Sequence, residues 1–86
     1  PDAIGRRQLE VEVDGAVVSF TDLNGPAHSG GLREGDWIRE IDGQTITTYA
    51  DAVAAFDAIA AAEDREEAVT LVERNNETQL IRIQLD

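Results

Sequence analysis

The chain has 86 residues, enough for a single domain with one modest hydrophobic core. Its 42% hydrophobic residues beside 29% charged ones describe a soluble globular chain, because a disordered one is poorer in Leu, Ile and Val. Eighteen acids against seven arginines and no lysine give a net charge of -11, a surface that repels phosphate backbones and anionic headgroups and so argues against nucleic-acid and membrane-surface partners.

Gln8-Leu9-Glu10-Val11-Glu12-Val13 alternates polar and apolar residues, the period of a half-buried strand with Leu9, Val11 and Val13 toward the core. Asp14-Gly15 reads as the pair of positive-φ residues in a tight hairpin turn, and Ala16 to Phe20 as the returning strand. Residues 21–31 are turn chemistry in which Pro26 starts one short helical turn, over about 26–29, that Gly30 or Gly31 ends. Leu32 is expected to plug the core from this loop. Gly35-Asp36 reverses the chain, Trp37 to Ile41 forms a strand, Asp42-Gly43 breaks it, and Ile46 belongs to a short edge segment. Thr47 or Thr48 offers a hydroxyl N-cap to one main helix over about 49–62, with Val53, Phe56 and Ile59 at helical spacing. A charged connector, residues 63–67, leads to two strands, 69–74 and 79–85, joined around Asn75-Asn76. The element pattern is α+β, with no repeat.

No apolar run approaches the about 20 residues needed to cross a bilayer, and no targeting segment is visible. The absence of cysteine rules out disulfides and thiolate metal sites and leaves the compartment open. The chain starts at Pro1 without any Met, so the expectation is one domain over residues 1–86, with its core at about 8–85, cut from a longer protein. High net charge favours a monomer.

Catalytic constellations are poorly represented. A nucleophile needs a base that a third group orients, and the candidates are Ser19, Ser29 and the single His28, which adjoins Ser29 in a glycine-flanked turn where neighbouring side chains diverge. Burial of His28 and Ser29 beside Asp22 in one cleft would favour an enzyme. Glu34 and Asp36 form the best carboxylate pair, read here as a turn whose Asp caps backbone N–H groups. Asp22-Leu23-Asn24-Gly25 resembles the start of a calcium loop, but its Gly comes too early and its twelfth position is Arg33. No catalytic residue, metal ligand or cofactor is therefore expected. The remaining resource is shape, a strand edge beside a helix, where an extended peptide can add as a further strand.

The stretch Gly25-Pro26-Ala27-His28-Ser29-Gly30-Gly31-Leu32-Arg33-Glu34-Gly35-Asp36-Trp37-Ile38-Arg39-Glu40-Ile41-Asp42-Gly43-Gln44 resembles the central signature of PDZ domains. The family pattern there is a small-Pro-Ala turn, Gly-Leu, Gly-Asp, two hydrophobic residues and an Asn/Asp-Gly. The element order resembles the circularly permuted bacterial arrangement, over about residues 8–85. The resemblance implies a partly open antiparallel β-barrel or sandwich of five to six strands. It also implies a groove between a strand and the helix that starts near Tyr49, closed by a loop whose N–H groups hold a terminal carboxylate.

Carried to this chain, the resemblance places that loop at Ile4-Gly5-Arg6-Arg7-Gln8-Leu9 and turns Tyr49, Val53 and Phe56 to the groove, with Ala52, Ala55 and Ile59 toward the core. For Val53 and Phe56 a purely core role is the competing reading. Two arginines follow Gly5 where the family has hydrophobic residues; they either reinforce an anion site or form a solvated basic pair. The implied function is a non-catalytic module that binds an extended segment or free C-terminus of a partner protein. The implied parent is a secreted or membrane-anchored bacterial protein, a protease of the HtrA-like, site-2 or C-terminal-processing kinds, which places the domain in the periplasm or elsewhere outside the cytoplasm. The alternative is a scaffold role like that of the inner-membrane C component of type II secretion systems, engaging a folded partner.

Overall fold

The structure, a computed structural model, describes residue 9, residues 11–62 and residues 64–85. The elements run β1 (Val11–Asp14), β2 (Val17–Thr21), α1 (Pro26–Ser29), β3 (Trp37–Ile41), β4 (Gln44–Thr45), α2 (Tyr49–Ala61), β5 (Glu67–Arg74) and β6 (Glu77–Gln84). Every pairing is antiparallel, in the order β1-β2-β3-β5-β6 with β4 beside β3. The sheet stays open, with one main helix and one short one, as expected of the α+β reading.

Two hairpins show how local chemistry sets the frame. Asn75 and Asn76 both take left-handed φ, 53° and 66°, which lets a two-residue loop follow the twist of β5 and β6. Both strands start two residues earlier than periodicity predicts, β6 because Glu77-Thr78 pair with Arg74-Glu73 and β5 because Glu67-Ala68 pair with Gln84-Ile83, so the connector ends at Glu66. In the first hairpin Asp14 pairs with Val17, so the loop is Gly15-Ala16, one residue later than expected. Only Gly15 has positive φ there, at 64°, the arrangement in which a two-residue loop takes glycine first.

Two register shifts change which side chains turn inward. Glu12 faces Phe20 while Val13 faces Val18, leaving Ser19 as the extra residue; Val18 and Thr21 are both buried across it. On β3 the pairing with β5 skips Arg39, so Ile38 and Ile41 both face inward three positions apart. Ile46 follows β4, is buried, and donates its N–H to the Arg39 carbonyl.

The core lies between the inner face of this sheet and α2. From the helix come Ala52, Ala55, Phe56 and Ile59, and from the sheet Val11, Val18, Ile38, Ile41, Val72, Ile81 and Ile83, with Ala27 and Leu32 closing one end. Leu32 is the expected plug, with no exposed surface. Thr48 starts the helix: its hydroxyl accepts the Asp51 N–H at 3.1 Å, while the Asp51 carboxylate accepts the N–H groups of Thr47 and Thr48 at 3.1 and 3.3 Å. The helix ends at Ala61, with Ala62 as its cap.

Candidate functional site

β1 pairs only with β2 among the described residues, so its outer edge is unpaired, and α2 packs beside it. Unpaired edge N–H and C=O groups next to a helix form a template for a further strand. On the helix side Tyr49, Val53 and Asp57 recur at four-residue spacing and share a stripe. Tyr49 is 55% exposed, Val53 is half-buried against the core, and Asp57 is half-buried. Ala52, Ala55 and Ile59 face the core as expected.

Phe56 has no exposed surface and belongs to the core cluster, the core position that was its competing reading. Leu9 is likewise buried, at 1% exposure, among core residues. Ile4, Gly5, Arg6, Arg7 and Gln8 lie outside the described residues. Asp57, which the sequence reading passed over, was signalled by its spacing of four from Val53.

Two carboxylates are held in different ways. Asp51, half-buried, is held below the ordinary value of 3.8, chiefly by the Thr47 N–H and then by the Thr47 hydroxyl, which donates at 2.9 Å. Asp36 is buried, and accepts the Arg33 N–H at 2.8 Å as the capping reading expects. It also takes both prongs of Arg74, Nε at 2.7 Å and Nη2 at 2.6 Å, while Nη2 donates to the Gly31 carbonyl at 2.8 Å. That bidentate hydrogen bonding raises the Arg74 pKa above its usual value. No local sequence signal joins positions 38 residues apart.

The residues once considered for catalysis do not meet in a buried cleft. Ser29 is exposed, and Asp22 accepts the N–H of Asn24 at 2.8 Å. His28 is half-buried and faces a shallow cleft with Thr21, Leu23, Arg33 and Glu34.

Residues 17–74 match a family model described as a PDZ domain. This chain belongs to the PDZ domain family. The match runs from β2 through β5, and so includes the signature stretch and α2. PDZ domains are binding modules, which gives this one a protein-interaction role. No curated protein sequence matches the chain significantly.

Among solved structures the chain is similar to the HtrA3 PDZ domain bound to a phage-derived ligand, Phe-Gly-Arg-Trp-Val, with 24% identity and a TM-score of 0.64. That match covers 85% of this chain and 65% of the HtrA3 chain, so this domain spans just under two thirds of its neighbour. The PDZ domain of EpsC from Vibrio cholerae is similar at 19% identity and a TM-score of 0.60, over 88% of this chain and 94% of that one. A longer form of the EpsC domain gives a TM-score of 0.61 at 19% identity, covering 88% of this chain and 78% of that one. At these identities the likeness is one of fold.

Proposed function

We propose that this PDZ domain grips an extended segment or free C-terminus of a partner protein by adding it as a strand to the outer edge of β1, opposite Tyr49 and Val53 on α2. The observation that carries the proposal is the unpaired edge of β1 set beside a helix that leaves Tyr49 exposed and Val53 half-buried. The peptide held by the HtrA3 domain, similar in fold, supports it. The carboxylate end belongs to Ile4-Gly5-Arg6-Arg7-Gln8-Leu9, with an arginine reinforcing the anion site. The module itself does no chemistry; it recognises substrates or regulates activity for a bacterial protease, as an extracytoplasmic part of a secreted or membrane-anchored parent, and is monomeric in isolation.

Affinity in this mode is weak. Each backbone hydrogen bond of the added strand contributes about 0.5–1.5 kcal/mol net, against the cost of ordering a flexible peptide. The test is an amide NMR titration with peptides ending in apolar residues, repeated with amidated C-termini. Shifts confined to residues 4–14 and 49–57 that vanish on amidation support carboxylate capture. Shifts that survive amidation leave strand addition and remove the carboxylate loop. Val53→Glu is expected to abolish binding with the fold retained; undiminished binding by that variant would exclude the groove.

A second reading is a scaffold that engages a folded partner, as in the C component of type II secretion. The likeness to EpsC, which covers 94% of the EpsC domain, favours it. Silence with every peptide in the titration would move the assignment to this reading.

A further inference from the structure

We infer that the segment taken up by this domain is cationic, with Arg or Lys at the outward-facing positions of the added strand and Glu12 as the residue that selects them. The inference rests on the strand-addition reading above and concerns what kind of peptide that edge takes.

The elements that would surround the added strand carry one sign of charge. β1 reads Val-Glu-Val-Asp, β2 Val-Val-Ser-Phe-Thr, and α2 holds Asp51 and Asp57; none of the three contains a basic residue. The arginines of the described residues are committed elsewhere. Arg39, Arg65, Arg74 and Arg82 are paired with Glu73, Asp42, Asp36 and Glu67, and Arg33 donates to the carbonyls of His28 and Leu32. The other two, Arg6 and Arg7, precede β1 at the end assigned to the peptide carboxylate and lie outside the described residues. Among the described residues, the edge of β1 therefore presents two exposed carboxylates, Glu12 and Asp14, with no basic side chain on β1, β2 or α2.

Strand geometry makes this positional. Side chains alternate across a strand, so an added segment turns one set toward Tyr49, Val53 and Asp57 and the other set outward. Val11 is buried while Glu12 is exposed, which puts Glu12 on the outward face, opposite the half-exposed Phe20 on its other side. A residue added across from Glu12 stands about 5 Å away between Cβ atoms, where opposite charges attract and like charges repel. The net charge of -11 acts in the same direction over longer range, steering cationic segments toward the domain at low salt.

The experiment is an amide NMR titration of the 86-residue chain with synthetic peptides of equal length. All share a C-terminal valine with a free carboxylate, and they carry Arg, Gln or Glu at alternate internal positions. Each is measured at low salt and at about 1 M salt, where the screening length is about 3 Å. The Arg peptide is expected to bind tightest and the Glu peptide weakest, by up to about fivefold for each paired position, with the gap closing at high salt. Glu12→Gln should narrow the gap, and Glu12→Arg should reverse it. Equal binding of the Arg and Gln peptides, with shifts on β1 and α2 for both, overturns the cationic preference and leaves strand addition standing. Absence of shifts with every peptide overturns strand addition and the preference together.

Discussion

The two flanks of this domain are built on different principles. Around Asp36 the chain is tied by directional polar contacts: one buried carboxylate holds the Arg33 N–H and the Arg74 fork, Arg74 reaches the Gly31 carbonyl, and the Gly35 N–H meets the Val18 carbonyl at 2.8 Å. Around β1 and α2 the contacts are alanines, Phe56 and Val53, with one strand edge unpaired. Hydrogen bonds to charged groups fix geometry, whereas apolar contacts tolerate small shifts. The Asp36 flank is thus held by directed polar contacts and the β1–α2 flank by packing.

Substitutions can break that contrast, beginning with the tied flank. Asp36→Ala leaves Arg74 without its partner and is expected to cost about 3 kcal/mol in denaturant unfolding, the low end for a broken buried pair because 32% of the Arg74 side chain keeps solvent contact. A loss below about 0.5 kcal/mol would show the pair to be ornamental. Gly30→Ala comes next. Gly30 has ordinary helical φ, so the constraint is space: a Cβ there would overlap the Arg82 carbonyl on β6, and about 1–3 kcal/mol should be lost in thermal denaturation.

On the packed flank the effects are smaller. Thr48→Ala removes the helix cap and should cost about 1 kcal/mol, with the loss visible as earlier amide exchange in the first turn of α2. The cap also has a pH signature. Because the folded Asp51 pKa lies below 3.8, its contribution is fully present above that value and fades as pH falls through the lowered folded pKa; Asp51→Asn should flatten this part of an acid-unfolding curve. The last prediction has the opposite sign. The Thr70 hydroxyl is buried with no hydrogen-bond partner among the described residues, so Thr70→Val should raise stability by up to about 1 kcal/mol. A fall would mean that the hydroxyl is satisfied.

What could be read from the sequence was what neighbouring residues decide. The Thr48 cap, the helix to within one residue of its end, the turns at Asp42-Gly43 and Asn75-Asn76, and the Leu32 plug all follow from short-range chemistry. The bulges at Ser19 and Arg39 were hidden, because a bulge resets inward and outward faces without any residue type that announces it. The Asp36–Arg74 pair was hidden because it depends on β5 folding back beside the loop before β3. At the groove, spacing along α2 gave the Tyr49–Val53 stripe, but how deep each side chain sits depends on the helix rotation, and Phe56 fell on the buried side.

One consequence of the sheet is optical. The sole tryptophan, Trp37, lies on the outer face, 49% exposed, with the Arg39 guanidinium 4.6 Å over its ring and Val17 and Glu73 as cross-strand neighbours. Its indole is already half hydrated in the native state and sits on β3, with β2 between it and the β1 edge. Native emission should therefore be red-shifted and change little in wavelength on unfolding, and peptide capture at β1 should pass almost unseen in intrinsic fluorescence. On the strand-addition reading proposed above, the exposed Tyr49 on α2 is the chromophore whose absorbance a bound segment would perturb.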